Sequence, residues 1–353
     1  MRVLLFFIII SICACKPDTS TSVNEPITFS KITGSTMGTS YTIQCDLNDP
    51  ALKYQIDSIL VDINSHVSTY EPESHISKVN KNLISQTESV DGLLKMQFEA
   101  HPHFDANFER SKEIFEQTDG YFDPTVMLLV NYWGFGYTPK QRVTTVDSTK
   151  IKLILTQVGF EKWTYNKTAS AVELTKPESA EIDFSAIAKG YAVDYLSQYL
   201  NKKGARNFMV EIGGEVFTKG KNSKGSAWTI GLNTPADNAP VNAFVLLVQL
   251  SDKALASSGN YRNFYISNGK KYAHEINPKS GFPEINALLG VSVIANNCMD
   301  ADAYATAFMV MGLESSKRKV EEIKDLEACF FYSDDQGQIQ YDLSSGFKPY
   351  IKS

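Results

Sequence analysis

The run Cys298 to Gly312, CMDADAYATAFMVMG, has the apolar content of a buried helix yet carries Asp300, Asp302 and Thr306. Asp300, near the start of that helix, suits a cap for free N–H groups and opposes the helix dipole. Asp302 and Thr306 stand four residues apart and share one helix face, with Cβ atoms roughly 5–6 Å apart. A carboxylate and a hydroxyl on one face suit a hard cation such as Mg2+. Upstream, DFSAIAKGYAVD sets Asp183 at the end of an expected strand and Lys189 near the first turn of the helix that follows. Helix N-termini collect phosphates and a lysine adds a point charge. A surface lysine beside a capping aspartate is the plainer alternative, and no GxxxxGK[ST] loop occurs. Gly213-Gly214 directly after a strand makes a tight turn or lets backbone approach a ligand. Arg262, beside Tyr261, would clamp an anion or stack on the ring. His274 lies at a strand edge before the Asn277-Pro278 corner and is the histidine of most interest among five, as a structural residue or a base.

The elements that must position these groups follow from periodicity and turn residues. Residues 27–46 read as a hairpin around Gly-Ser-Thr-Met-Gly, and 50–66 as a helix with Leu52, Ile56, Ile59, Leu60 and Ile63 at helical spacing. The segment holding Tyr70 is turn-rich, and 92–118 reads as a helix broken at His101-Pro102. A Gly turn and the Asp123-Pro124 corner follow, and 139–180 reads as a polar peripheral excursion. A short strand then runs into a helix that Lys203-Gly204 stops. Strands are expected in 207–220, 227–235 and 243–250, a hairpin with an Asn268-Gly269 turn before His274, a strand feeding Cys298, and a last hairpin after 326. The pattern predicts a mixed α/β chain with many antiparallel strands, no fixed-period repeat and no second hydrophobic span.

The chain has 353 residues, 43% hydrophobic and 21% charged, enough to bury a substantial core in one large α/β unit or two domains. A net charge of −6 leaves no basic footprint, which excludes nucleic acid as a partner. At the N-terminus Arg2 precedes an apolar run from Val3 to Ala14, too short to span a bilayer and right for a secretory signal. Ile12-Cys13-Ala14-Cys15 resembles a bacterial lipobox, in which Cys15 is lipidated. A cleaved signal with an incidental cysteine is the other reading. Residues 16–26 read as a flexible tether. Cys45, Cys298 and Cys329 form no CxxC pair or zinc spacing and are expected as buried small hydrophobes.

Read in order, GSTMGTSY, VSTYEPESHISKVN, DGYFDPTV, DFSAIAKGYAVD, VEIGGEV, SSGNYRN, HEINPKSGFP and MDADAYATAFMVMG resemble the ApbE family, the FAD:protein FMN transferases. The resemblance covers about residues 30–335 and divides the chain into a signal (1–15), a tether (16–26) and an ApbE-like domain (27–353). It implies a T-fold-like α/β (α+β) architecture of largely antiparallel sheets with packed helices. It implies Mg2+ on Asp302, Thr306 and the backbone carbonyl of Ala186, bridging to the FAD pyrophosphate. Met37, Tyr70, Phe122 and Asp123 match positions around the flavin and adenine; Asp183, Lys189 and the backbone of Ile276 match further FAD contacts; His274 matches a general base. Asn277, Ser185 and Glu215 stand where the family often has Asp, Gly and Asp.

The implied reaction is transfer of FMN from FAD to a Ser or Thr hydroxyl of an FMN-binding acceptor, such as a redox-complex subunit, with AMP released. His274, Asp302 and Lys189 are the expected catalytic groups. Members of the family are often periplasmic lipoproteins, so an exported protein held on a bacterial membrane through Cys15 is expected. Two rival readings are an FAD pyrophosphatase, with water attacking, and a flavin-binding lipoprotein without catalysis; intact Asp302, His274 and Lys189 argue against the second.

Overall fold

The computed structural model describes residues 27–352 apart from 85–86, 138–141, 237–239, 241–242, 261–263, 268 and 285. The signal, tether, Cys15 and Arg262 lie outside the described residues. Alternating burial of Tyr41, Ile43 and Cys45 marks the first hairpin, β1 (Ser30–Thr36) and β2 (Thr39–Cys45). Its turn is only Met37-Gly38, with φ of 49° and 73°, the primed geometry that matches strand twist. Gly34 is a strand residue opposite Tyr41 rather than part of the turn. Next, α1 (Leu52–Val67) buries Leu52, Ile56, Leu60, Ile63 and Val67 along one stripe.

The chain continues through α2 (His75–Asn80), β3 (Thr87–Val90), β4 (Leu93–Glu99), α3 (Pro102–Gln117), α4 (Met127–Tyr132) and α5 (Ser148–Leu155). Then come β5 (Thr164–Lys167), β6 (Ala171–Pro177), α6 (Ala188–Lys202), β7 (Phe208–Ile212), β8 (Glu215–Lys219), β9 (Trp228–Asn233) and β10 (Phe244–Leu250). The last elements are β11 (Lys253–Gly259), β12 (Phe264–Ser267), β13 (Lys270–Ala273), β14 (Leu288–Ala295), α7 (Cys298–Met311), α8 (Leu313–Glu322), β15 (Glu327–Ser333) and β16 (Ile339–Leu343). An eight-stranded sheet runs β1-β2-β7-β8-β11-β14-β15-β16, and every pairing in it is antiparallel. A four-stranded antiparallel sheet, β3-β4-β6-β5, lies apart from it.

Helices α6 and α7 pack on each other and on the large sheet. α7 is enclosed by β11, β14, α6 and α8, which is why its Ala301, Ala303, Ala305 and Ala307 are all buried. Cys45, Cys298 and Cys329 are buried and unpaired, as expected. Among the described residues no helix is long and apolar enough to cross a membrane.

Three expectations are corrected. Residues 93–99 form β4, not helix: Leu94 and Met96 are buried while Lys95 and Gln97 are exposed, a period of two that helix-forming residue types masked. The 139–180 region is not peripheral throughout, since Phe160, Trp163, Val172 and Leu174 enter the main core between its polar positions. No strand runs into α6: residues 178–187, between β6 and α6, are irregular. The segment around Asp183 is held instead by side chains: Asn80 donates to the Ile182 carbonyl at 2.8 Å and accepts from the Ile182 N–H at 2.9 Å. The Asp183 N–H donates to the Pro124 carbonyl at 2.8 Å, tying this segment to the Asp123-Pro124 corner.

Candidate active site

The sequence leaves Lys189 and Asp302 far apart, and a single helix crossing brings them together. Gly190 makes it possible: a Cβ there would lie 2.3 Å from the Cys298 carbonyl oxygen and 2.7 Å from the Met299 Cα, both backbone atoms that cannot yield. Across the crossing, Asp194 of α6 accepts from the Cys298 and Met299 N–H groups, each at 2.8 Å, and so holds the free donors at the start of α7. Burial pushes the Asp194 carboxyl up to about 7 even against those two bonds. Asn297 caps α7 through the Asp300 N–H at 2.8 Å, and the Asp300 carboxylate accepts in return from the Asn297 amide at 2.8 Å and from Arg110 at 2.7 Å. Asp300 is therefore part of the cap, as its position suggested.

Two residues further in, Asp302 Oδ2 accepts from the Gly190 N–H at 3.0 Å and Oδ1 lies 3.7 Å from Lys189 Nζ. Lys189 Nζ also pairs with Glu215 Oε1 at 2.8 Å. Burial works against the charge on Lys189, but the Asp302 and Glu215 carboxylates outweigh it and hold the ammonium above its ordinary range. Burial raises the Glu215 carboxyl, with Lys189 opposing. The Thr306 hydroxyl sits 3.1 Å from Ser258 Oγ of β11.

These groups face a cavity of about 440 Å3. Phe122, Asp123, Asp183, Ala186, Lys189, Asp302 and Thr306 line it from one side, and His274 and Ile276 from the segment after β13. An adjoining cleft of about 580 Å3 holds Met37 on the β1–β2 turn and shares Tyr70, Ser185 and Lys189 with the cavity. Every expected site residue in the described chain thus reaches one of two joined spaces. A larger groove of about 1020 Å3, beside Arg110 and Asp300, contains none of them.

The walls are shaped by polar turns. Asp183 accepts from Thr69 Oγ at 3.1 Å, from Ser185 Oγ at 2.8 Å and from the Ser185 N–H at 3.3 Å, and burial raises its carboxyl above the ordinary value. Asp123 accepts from the Thr125 N–H at 2.8 Å and its hydroxyl at 2.7 Å, and burial pushes it up to about 7. Asn277 builds the corner after His274: Oδ1 accepts from the Lys279 N–H at 2.9 Å and the Ser280 N–H at 3.3 Å, while its amide donates to Glu284 at 3.0 Å. An aspartate could accept both N–H bonds equally well, and Glu284 satisfies the donor that asparagine adds. His274 Nδ1 lies 3.4 Å from Glu275 Oε2, and its ring stands 6.4 Å from that of Phe135.

The donor set can be tested against a hard cation. Asp302, Thr306 and Ala186 line one space with Glu215, whose Oε2 is buried without a hydrogen-bond partner. A buried carboxylate oxygen with no donor is costly, and negative charge gathered around oxygen ligands is what Mg2+ or a similar ion relieves. The residues fit such an ion.

Residues 37–330 match the ApbE family. The chain belongs to that family. It is 32% identical over 349 residues to an FAD:protein FMN transferase of Haemophilus influenzae, covering 96% of this chain and 94% of that protein. It is 33% identical over 327 residues to the one of Vibrio cholerae, covering 91% and 92%. The structure of the flavin transferase ApbE from Vibrio cholerae superposes with a TM-score of 0.78 at 32% identity, covering 92% of this chain and all of that one. The apo flavinyl transferase ApbE from Pseudomonas stutzeri does so with 0.78 at 26% identity, covering 92% and 98%. The largely antiparallel architecture with packed helices is the ApbE fold.

Three side chains of this ApbE-family cavity are not among the expected site residues. Glu215, a departure from the family pattern after the two glycines, is the nearer partner of Lys189. Glu275 stands beside His274 with both carboxylate oxygens buried and no hydrogen bond. Ser258 meets Thr306. A carboxylate opening β8 straight after Gly213-Gly214, both at positive φ, was the one available signal.

Proposed function

We propose that this chain transfers the FMN part of FAD to a Ser or Thr hydroxyl of an acceptor protein. Convergence of Lys189, Asp302, Thr306 and His274 on one cavity is the observation that carries the reading. Asp302, Thr306 and the Ala186 carbonyl would hold Mg2+, which when bound supplies Lewis-acid stabilisation of charge on the pyrophosphate. Lys189, kept protonated between two carboxylates, is placed to bind the same phosphates as a point charge. Asp123, Asp183, Phe122 and Tyr70 shape the space for the flavin and adenine parts, with Met37 at the edge of the adjoining cleft. His274 takes the proton of the acceptor hydroxyl, and Glu275, 3.4 Å from its Nδ1, is placed to stabilise the imidazolium that results. The hydroxyl oxygen bonds to phosphorus on the FMN side, the bond to AMP breaks, and AMP leaves.

Mass spectrometry of an FMN-binding acceptor incubated with the protein, FAD and Mg2+ tests this. The expected result is a gain of FMN less water on one Ser or Thr, abolished by EDTA. Free FMN and AMP with no adduct would make the chain a pyrophosphatase instead, and unchanged bound FAD would make it a carrier. The same reading places the protein outside the cytoplasmic membrane, tethered by lipid on Cys15 with residues 16–26 as the spacer. Cys15→Ser is expected to move it from the membrane pellet to the supernatant; continued sedimentation would point to another anchor.

A further inference from the structure

Four of the five histidines, all but His274, gather where α1 ends and α3 begins, and none of them lines the cavity or the cleft. The rings of His66 and His101 lie face to face, centroids 3.1 Å apart and planes 8° from parallel. His103 and His75 stand 5.9 and 6.3 Å from His66. Asp62, one turn before His66 on α1, reaches within 3.8 Å of His66 Nδ1 and 3.1 Å of His103 Nε2. One donor atom each from Asp62, His66 and His101 all fall within 4.8 Å of one another.

The hydrogen bonds around His66 set its tautomer. His66 Nδ1 is 2.9 Å from the Asp62 carbonyl oxygen, which can only accept, so the proton sits on Nδ1 and the lone pair on Nε2. Metal-bound histidines show this pattern, in which the second ring nitrogen donates to a carbonyl. Ser65 supports it, since its hydroxyl donates to the same carbonyl at 2.7 Å and so accepts from Nδ1 at 2.9 Å. His103 lies between the Tyr191 hydroxyl at 2.7 Å and Asp62 Oδ2 at 3.1 Å, which fixes one oxygen of the carboxylate.

We propose that Asp62, His66 and His101 form a second metal site, for a divalent transition ion of the Zn2+ class, with His103 as a positioning residue for Asp62. Two imidazoles and a carboxylate select such ions over Mg2+ or Ca2+. The ion would exchange face contact of the two rings for coordination, splaying them slightly. Asp62 supplies negative charge and His66 lies in the last turn of α1, whose dipole attracts cations, against Lys78 and the N-terminus of α3; the nearby Asp105 is already paired with Lys167 at 3.1 Å. His101 Nδ1 accepts from the His103 N–H at 3.4 Å, so His101 would meet the ion through Nε2 and release that nitrogen's proton on binding. The ion would pin the end of α1 to α3, directly before Thr69 and Tyr70 at the cleft.

The test uses the full-length chain in detergent, stripped with EDTA and titrated with Zn2+ against a chromophoric chelator. One site is expected, weakened at least about tenfold in both His66→Ala and His101→Gln, and retained in Asp302→Ala. No zinc uptake by the wild type, or wild-type affinity in either histidine variant, would overturn the site. A readout without variants guards against misfolding: Co2+ should broaden the imidazole NMR signals of the histidine cluster and spare that of His274. Broadening confined to His274 would refute the proposal.

Discussion

Asp302→Ala is expected to cut FMN transfer by about 10³-fold or more, with the fold retained. Three roles meet in one carboxylate. Its Oδ2 holds the Gly190 N–H at 3.0 Å, its Oδ1 faces Lys189 at 3.7 Å, and it is the charged member of the oxygen set fitted to Mg2+. Removing it leaves Lys189 paired to Glu215 alone and frees a buried N–H, at a stability cost of about 1–3 kcal/mol. Asp302→Asn separates these roles, because its amide oxygen can still accept from Gly190 while the charge is gone. If the charge matters, the asparagine variant is nearly as inactive as the alanine one and needs far more Mg2+ for half-maximal rate. If position alone matters, it is close to wild type at the usual Mg2+ level. Near-normal activity of the alanine variant, measured by adduct formation, would remove Asp302 from the site.

The second large effect concerns His274→Gln, where transfer is expected to fall by about 10²–10⁴-fold while FAD affinity changes little. Glutamine keeps a polar group beside Glu275, so the buried carboxylate at 3.4 Å is not left facing a void. What it loses is the ring nitrogen that accepts the proton. Fluorescence titration with FAD and a single-turnover assay, run on the same preparation, separate the two quantities. Parallel loss of both would make His274 a binding residue, and full activity would assign the base elsewhere.

Both predictions depend on how much of the site was legible before the fold was known. The Asp302–Thr306 spacing, the Lys189 position near a helix start, the Asp123 corner and the Asn277-Pro278 corner follow from local rules: helix period, turn chemistry and capping. Local rules misled at 92–100, where Leu, Lys, Met and Gln suit a helix by propensity but alternate in burial as β4. They misled again before α6, where side chains of Asn80 and Thr69, not a strand ladder, hold Ile182 and Asp183.

The sequence by itself determined membership in the ApbE family, the mixed α/β class and the residue types a phosphoryl-transfer site requires, because ordered motifs and short-range periodicity are written within a few residues of one another. Tertiary structure alone decided that Glu215 is the nearer partner of Lys189, that Gly190 is the contact at which α6 and α7 cross, and that four histidines spread over 38 positions meet around Asp62. Those contacts arise where sheet pairing and burial of α7 bring distant segments to one place, and a pairwise distance across such a crossing depends on the whole packed core rather than on any local spacing.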